Sequence, residues 1–327
     1  MKVARYTRTG TPTDVIEIVD EDTPAPQANE VTIRMEAAPV HLADLYCMAG
    51  KERFNLPLPA TPGFEGVGRI SALGSDVADW SVGDRVFPPL ASGTWRTELT
   101  VSVAELLPAP TGDAVQLSLL PINPPTSYLI LEDYGDLQEG DWIIQNAANS
   151  NCGRYLIELA KLRGIKTINV VRRPELVDEL KALGGDIVMV DGDDLSDRVL
   201  KETGGVPAKL GVDAVNGMAT ARIASCLADG STVLAYGMLT DEPCMIPSDV
   251  AFLRDIRLEG FYTVRQFSKR TPEAVRGIYT ELARLFEAGK LTAKIAATYA
   301  LDDIKEAVAH AGRRGADRDG KIILTME

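Results

Sequence analysis

Short runs of alternating hydrophobic and polar residues fill the first third of the chain. Glycine and proline separate these runs, which read KVARYT, VIEIVD, VTIRMEAAPV, GVGRISALG and DRVFPPL. A period of two with such boundaries is typical of strands that bury one face. The pattern therefore predicts a β-barrel or a β-sandwich in this region.

A different rhythm begins near Asp141. Helical stretches such as GRYLIELAKLRG and PELVDELKALGG alternate with apolar runs of strand length, which are WIIQNAA, KTINVV, DIVMV, GVDAVNG and STVLAYG. This alternation favours a parallel sheet with helices on both faces. The last elements leave the rhythm, and they read TPEAVRGIYTELARLFEAGKL, ALDDIKEAVAHAGRRG and GKIILTM. We expect them to return to the first domain.

Composition and charge narrow the class of protein. The 327 residues, 45% of them hydrophobic and 25% charged, suffice for two packed domains. The net charge of −13 repels nucleic acid and anionic lipid. Because no apolar run approaches the ~18 residues of a membrane span and the start lacks a signal-peptide core, we expect a cytoplasmic protein with no membrane partner. The four cysteines show no C-x-x-C pair, which favours buried thiols.

Residues 141–154, DWIIQNAANSNCGR, have the layout of a strand, a tight turn and a helix that binds a dinucleotide. On the G-x-G-x-x-G frame, the small residues Ala148 and Ser150 replace two glycines, and Gly153 keeps the position where helix and strand pack closely. The N-terminus of a helix offers free N–H groups and a positive dipole end to a pyrophosphate. Taken alone, the turn could equally be an ordinary connection.

The end of the next strand bears on the choice of cofactor. An NAD site places an acidic residue about 20 positions after the turn, where it binds the ribose hydroxyls. Here Arg172 and Arg173 follow the strand, and no carboxylate occurs before Glu175. Since a guanidinium group suits a 2′-phosphate, this pair favours NADP(H). The alternative interpretation is two solvated arginines.

Several segments together resemble the zinc-free medium-chain dehydrogenase/reductases, and most closely the 2-enoyl thioester reductases and their quinone oxidoreductase relatives. These segments are INPPTSYLIL, IIQNAANSNCG, TINVVRRPE, VLAYGM, RDIRLEGFY and GKIILTM. The resemblance implies a GroES-like β-barrel catalytic domain formed by residues 1–122 and 268–327. It also implies a Rossmann domain with a doubly wound parallel sheet over residues 123–267, and an active site in the cleft between the two.

The resemblance further implies which residues contact NADP(H). By motif they are Asn123, Asn149, Ser150, Asn151, Cys152, Arg172, Arg173, Tyr236, Gly237, Met238, Leu239, Phe261, Tyr262 and Lys321. The turn is then a cofactor site in which Asn and Ser stand where other dehydrogenases use glycine. Members of this family pair through an edge strand, and because IRLEGFY is a suitable apolar edge, we expect a homodimer.

No metal is expected. Zinc alcohol dehydrogenases use a cysteine and a G-H-E motif, because a tetrahedral metal needs three protein ligands and an open position. The matching segments here are VHLADLY and GFEG, in which Phe64 replaces the histidine. His41 stands where the cysteine would be, with Glu65 as its only obvious partner. The four-cysteine structural loop is also absent.

The proton donor of the family is displaced. Enoyl thioester reductases of this type use a tyrosine in a segment like NPSDxNxxxGxY, and an ungapped alignment places Glu52 at that tyrosine and His41 at the asparagine. Tyr46 occupies a position where quinone-reductase relatives also carry a tyrosine. Because a phenol is neutral at pH 7, Tyr46 is the preferred donor, while Glu52 would need burial to raise its pKa. His41 could orient or donate, water could replace all three, and Tyr46 could simply be a packed aromatic.

The sequence therefore predicts an NADPH-dependent reductase of a small molecule. Hydride would be transferred to an electron-poor carbon–carbon double bond in an enone, enal, quinone or enoyl thioester. One alternative is a carbonyl reductase or zinc-free alcohol dehydrogenase. Another is a non-catalytic, crystallin-like protein that binds NADPH.

Overall fold

The computed structural model describes residues 1–51, 56–313 and 315–326. The chain divides into two compact units, of which the first comprises Met1–Ile122 with Arg276–Glu327 and the second Asn123–Val275. The strands are β1 Lys2–Arg5, β2 Glu17–Asp20, β3 Glu30–Val40, β4 Val67–Leu73, β5 Arg85–Phe87, β6 Glu98–Ser102, β7 Leu107–Pro108, β8 Trp142–Gln145, β9 Lys166–Val171, β10 Ile187–Val190, β11 Ala208–Asp213, β12 Leu227–Ala235, β13 Arg257–Gly260, β14 Ile295–Ala300 and β15 Lys321–Thr325.

The helices are α1 Pro12–Val15, α2 Leu42–Met48, α3 Ala114–Leu117, α4 Asn123–Asp133, α5 Asn151–Leu162, α6 Val177–Leu183, α7 Leu195–Glu202, α8 Met218–Ser225, α9 Ser248–Arg254, α10 Thr263–Phe267, α11 Pro272–Glu287 and α12 Ile304–Ala311. Within the described ranges, no helix is both long enough and apolar enough to cross a membrane.

The first unit is built on a seven-stranded sheet in the order β14-β15-β3-β4-β5-β7, with β6 also paired to β3. The C-terminal strand β15 runs antiparallel to β3, with Ile322 opposite Val40. This register brings Lys321, the first residue of β15, level with the residue that follows β3. A buried core that includes Ile33, Met35 and Trp95 holds these strands together, and α12 contributes residues to it.

The second unit contains the predicted parallel sheet. Its six strands lie in the order β10-β9-β8-β11-β12-β13, and every pair is parallel. The chain winds outward from β8 in one direction and outward from β11 in the other. Ligands of doubly wound sheets bind beyond the carboxyl ends of the strands at such a switch point. This topology places the loops after β8 and β11 where a dinucleotide would bind.

Candidate active site

The strand, turn and helix that the sequence predicts are present at β8, although the turn is shorter than predicted because residues 151–153 already belong to the helix. Ala147 adopts a left-handed conformation with a φ of 47°, and the N–H of Ser150 donates to its carbonyl oxygen at 2.8 Å. Helix α5 begins at the next residue, Asn151, and the Ser150 hydroxyl accepts a hydrogen bond from the N–H of Gly153 at 3.1 Å. A serine in this role caps the helix and fixes its start. The turn therefore delivers a helix N-terminus to the switch point.

Gly153 allows the helix to approach the strand. A Cβ atom at this position would lie 2.7 Å from the carbonyl oxygen of Ala148 and 2.8 Å from its Cα. Ala148 is fully buried, so the backbone beneath has no free space. The structure thus requires glycine for close packing, which is the role of the last glycine in dinucleotide-binding turns.

A buried polar network joins the carboxyl ends of β8 and β11. Asn146 donates through Nδ2 to Asp213 Oδ1 at 2.6 Å and accepts through Oδ1 from the N–H of Ala214 at 2.8 Å. Asp213 also accepts from the backbone N–H groups of Val215 and Asn216. Sequence reasoning missed this pair, although each residue is polar and ends an apolar run. The network fixes the two loops that border the switch point.

Several predicted cofactor residues meet beside the turn. The hydroxyl of Tyr236 hydrogen-bonds with Ser150 and Cys152, and burial raises its pKa well above the usual value. The Ser127 hydroxyl lies 2.8 Å from the carbonyl oxygen of Cys152 and 3.2 Å from that of Asn123. Within the described residues, Asn123 Nδ2 is buried with no hydrogen-bond partner. A buried donor beside a helix N-terminus fits a site for an anionic ligand.

The remaining predicted cofactor residues of the second unit have varied settings. Arg172 and Arg173 follow β9, which neighbours β8, and Arg172 is exposed. Asn149 in the turn is partly buried, and Asn151 at the start of α5 is buried. Gly237 lies against Ala214, and the N–H of Leu239 donates to the carbonyl oxygen of Ala214. Phe261 packs edge-on against Tyr134, whereas Tyr262 is 56% exposed. Met238 is partly buried.

A second cluster, which we call the ionisable cluster, lies in the first unit and consists of His41, Asp44, Glu65 and Lys321. The Nζ atom of Lys321 lies 2.7 Å from His41 Nδ1, and His41 Nε2 lies 2.6 Å from Glu65 Oε1. Asp44 accepts from the backbone N–H groups of His41 and Gly63, both at 2.8 Å. Sequence reasoning proposed His41 and Lys321 for separate roles and did not predict their contact.

Burial shifts the pKa values of this cluster. Glu65 and Asp44 are 0% and 1% exposed. Desolvation raises the pKa of Glu65 to about 8 and that of Asp44 to about 7, although the charge of Lys321 opposes both shifts. Desolvation, assisted by the Lys321 charge, lowers the pKa of His41 well below its usual value. His41 is therefore neutral, and two carboxyl groups have pKa values near physiological pH, which is typical of functional sites.

The other two predicted proton donors, Tyr46 and Glu52, are not part of the ionisable cluster as we define it. Tyr46 lies on α2, half-buried, with the ammonium group of Lys51 4.1 Å from its ring centroid. Glu52 lies outside the described residues. For metal binding, the described ranges contain no group of three or more His, Cys, Asp or Glu side chains arranged to hold an ion.

Comparison with known proteins identifies two domain families. Residues 27–111 match the alcohol dehydrogenase GroES-like domain, and residues 152–279 match the zinc-binding dehydrogenase family. Together they confirm the predicted GroES-like and Rossmann-type fold class. The mitochondrial enoyl-[acyl-carrier-protein] reductase of Rattus norvegicus is 33% identical over 93% of this chain and 83% of its own length.

Solved structures with the same fold include two kinds of reductase. One described as an NADPH:quinone reductase from Bacillus thuringiensis has a TM-score of 0.93, 26% identity, and coverage of 100% of this chain and 99% of that one. The complex of Etr1p with NADP and crotonyl-CoA has a TM-score of 0.86 and 28% identity, with 99% of each chain covered. The Etr1p/Etr2p heterodimer of the mitochondrial 2-enoyl thioester reductase from Candida tropicalis has a TM-score of 0.85 and 28% identity, and the match covers 99% of each chain.

Proposed function

Because the chain belongs to the enoyl reductases within the medium-chain dehydrogenase/reductases, we propose that it uses NADPH to reduce an activated carbon–carbon double bond in an enoyl or quinone substrate. The observation that carries this proposal is the turn at the switch point of the parallel sheet, where Ser150 caps α5 and Gly153 packs directly on Ala148. Relatives named for enoyl and quinone reduction, and a neighbour solved with NADP and crotonyl-CoA, support it.

The residues of the second unit suit NADP(H), which supplies the hydride when bound. We propose that the N-terminus of α5 holds the pyrophosphate through backbone N–H groups and the helix dipole. Arg172 and Arg173 then bind the 2′-phosphate, and Asn123 donates its buried amide to the cofactor. The other predicted contacts of the second unit, with Tyr236 beside Ser150 as the clearest, complete the proposed site in this unit.

Hydride added at the β-carbon of an enone leaves negative charge on the carbonyl oxygen, and the α-carbon must then take up a proton. Of the three predicted donors, His41 is neutral and a poor acid at pH 7. Tyr46 is half-buried and carries a phenol hydroxyl, which can donate a proton. We therefore keep Tyr46 as the proposed donor, with Glu52 as its rival.

The test is NADPH oxidation with four acceptors, which are an enone, an enal, a quinone and a short enoyl-CoA. We expect turnover with at least one, accompanied by a saturated product or a hydroquinone. If the only product is an allylic alcohol, the protein is a carbonyl reductase. If NADPH binds but no acceptor oxidises it, the protein is a non-catalytic NADPH-binding protein.

We also propose that two copies of the chain pair through β13. This strand lies at the edge of the six-stranded sheet and is exposed throughout. Large exposed apolar side chains flank this strand in the sequence, with Phe252 84%, Leu253 73% and Tyr262 56% exposed. An exposed edge with apolar neighbours is a pairing surface. Sedimentation at micromolar concentration should show a homodimer, and Leu253→Asp should shift it toward monomer; a monomeric unaltered protein would remove this proposal.

The compartment is also a proposal. We keep the cytoplasm, which we expect from the sequence, as the proposed location. The curated relatives carry mitochondrial names, which makes the mitochondrion the competing location. Fractionation of cells that express the tagged chain distinguishes the two.

A further inference from the structure

The contacts of the ionisable cluster fix the proton positions on His41. A lysine ammonium group can only donate hydrogen bonds, so His41 Nδ1, 2.7 Å from Lys321 Nζ, is the acceptor. A neutral imidazole carries one proton, which must then lie on Nε2 and be donated to Glu65 Oε1 at 2.6 Å. The result is a directed chain in which Lys321 donates to His41 and His41 donates to Glu65.

Burial increases along this series of hydrogen bonds, from Lys321 to Glu65. Glu65 is fully buried, the His41 side chain is 12% exposed, and Lys321 is partly buried at the start of β15. Burying carboxyl groups and an ammonium group costs several kcal/mol per ion unless they compensate one another, so such clusters are weak evidence of a stabilising role. Apart from the imidazole, the least buried group of the cluster is therefore the ammonium group of Lys321, whereas the carboxyl groups of Glu65 and Asp44 are fully buried.

The proposed reaction needs a positive charge. Negative charge develops on the carbonyl oxygen as hydride arrives. In many enzymes, fixed hydrogen-bond donors aimed at such an oxygen make the largest single contribution to the rate enhancement. Among the described members of the cluster, Lys321 is the only cation. His41 accepts a hydrogen bond from its ammonium group, and Glu65 in turn accepts one from the imidazole.

We propose that Lys321 is the electrophile of this reductase, and that His41 and Glu65 are the residues that position it. This inference rests on the proposed function. In the step, a C–H bond forms at the β-carbon with hydride from NADPH, the C=C π electrons move to the α-carbon and carbonyl oxygen, and Lys321 donates a hydrogen bond to that oxygen while keeping its proton. The α-carbon is protonated separately, by Tyr46 or water.

Lys321 is also a proposed cofactor contact, so a loss of activity alone is ambiguous. The experiment therefore measures the NADPH dissociation constant and kcat at saturating NADPH separately, for Lys321→Met and Lys321→Arg. Lys294→Met is the matched control, because Lys294 is a partly buried lysine of the same unit that pairs with Asp319. The acceptor is whichever of the panel the unaltered protein reduces fastest.

We expect Lys321→Met to lower kcat by about 10²-fold to 10³-fold, the effect of removing one oxyanion donor. Lys321→Arg should retain more activity because its charge remains, and Lys294→Met should match the unaltered protein. Methylammonium added to Lys321→Ala should restore part of the rate. If Lys321→Met changes only NADPH binding, with kcat unchanged at saturation, the inference is overturned.

The positioning roles have an independent readout. The chain contains only two histidines, so ¹⁵N-histidine NMR resolves both, and His310→Gln identifies the His41 signals. We expect His41 to be neutral with its proton on Nε2, and Glu65→Leu and His41→Asn to lower kcat by roughly 10-fold to 10²-fold through misplacement of Lys321. Glu65→Gln should stay near the unaltered protein, because its amide oxygen still accepts the hydrogen bond from His41 Nε2. A proton on Nδ1, or unchanged kcat in both Glu65→Leu and His41→Asn, contradicts the positioning. If the unaltered protein reduces no acceptor, the proposed function itself fails, which is a different result from active protein with insensitive variants.

Discussion

The nucleotide turn and the ionisable cluster achieve binding and chemistry by different physical means. In the turn, neighbours in sequence act through the backbone: Ser150 caps α5, and Gly153 lets the helix contact Ala148. In the cluster, side chains far apart in sequence meet, since Glu65 is 24 and Lys321 is 280 positions from His41. The first arrangement depends on local conformation, and the second depends on the pairing of β15 with β3.

The two regions also differ in energetics. The hydrogen bonds and close packing of the turn stabilise the fold whether or not a ligand is bound. The cluster keeps carboxyl groups out of water at a cost in stability, which raises the pKa values of Glu65 and Asp44. We infer that sites built from backbone groups are compatible with stability, whereas sites built from buried charge oppose it.

The largest expected effect concerns the one part of the nucleotide site that relies on side-chain charge. Arg172→Ala combined with Arg173→Ala should reduce the preference for NADPH over NADH by roughly 10²-fold to 10⁴-fold, because each charge-assisted contact contributes about 1.5–3 kcal/mol. Fluorescence titration with both cofactors measures the ratio. Equal binding of NADH and NADPH by the unaltered protein would show that neither arginine recognises the 2′-phosphate.

The next effect tests the cost of buried charge. The folded-state pKa of Glu65 is raised to about 8 from 4.5, so the native state retains a proton that the unfolded state releases. The contribution of this group to stability is complete below pH 4.5 and is lost as the pH rises toward 8. The free energy of unfolding should therefore fall across this range by an amount on the order of 3 kcal/mol more than in Glu65→Gln. Denaturant titrations at several pH values measure both, and parallel curves would contradict the prediction.

A smaller effect tests the backbone contact of the turn. Gly153→Ala should destabilise the protein by about 1–3 kcal/mol and weaken NADPH binding, because the added methyl group cannot fit against Ala148. Gly277→Ala is the matched control, since Gly277 lies exposed in α11 with no atom within 4 Å of an added Cβ. It should stabilise the helix by about 0.5–1 kcal/mol. Thermal unfolding compares the two, and equal melting temperatures would refute close packing at Gly153.

The smallest effect concerns the cap of α5. Ser150→Ala removes the hydroxyl that accepts from the Gly153 N–H and should cost about 0.5–2 kcal/mol of stability. NADPH binding should weaken less than 10-fold, because the backbone N–H groups of the turn remain. Calorimetric titration measures the affinity, and a loss above 10²-fold would mean that the serine side chain itself is a principal contact.

The sequence predicts features that depend on neighbours in the chain. The alternation of apolar runs and amphipathic stretches predicted β8 to β12 and the helix after β8. Helix α5 begins at Asn151, two residues before the predicted stretch GRYLIELAKLRG. Strand β14 was missed, because IAATYA has small residues without clear alternation, and its residues are partly buried apart from the exposed Thr298. The hydrogen bonds that link Lys321, His41 and Glu65 could not be predicted, because nothing in the local sequence indicates the register of β15 on β3.

The most direct test of the central claim is the position of the transferred hydrogen. The protein is incubated with NADPH carrying deuterium at the reactive position of the nicotinamide and with an enone, and the product is analysed by NMR and mass spectrometry. We expect a saturated ketone with one deuterium at the β-carbon and a solvent-derived proton at the α-carbon. An unsaturated alcohol with deuterium on the former carbonyl carbon would contradict this expectation.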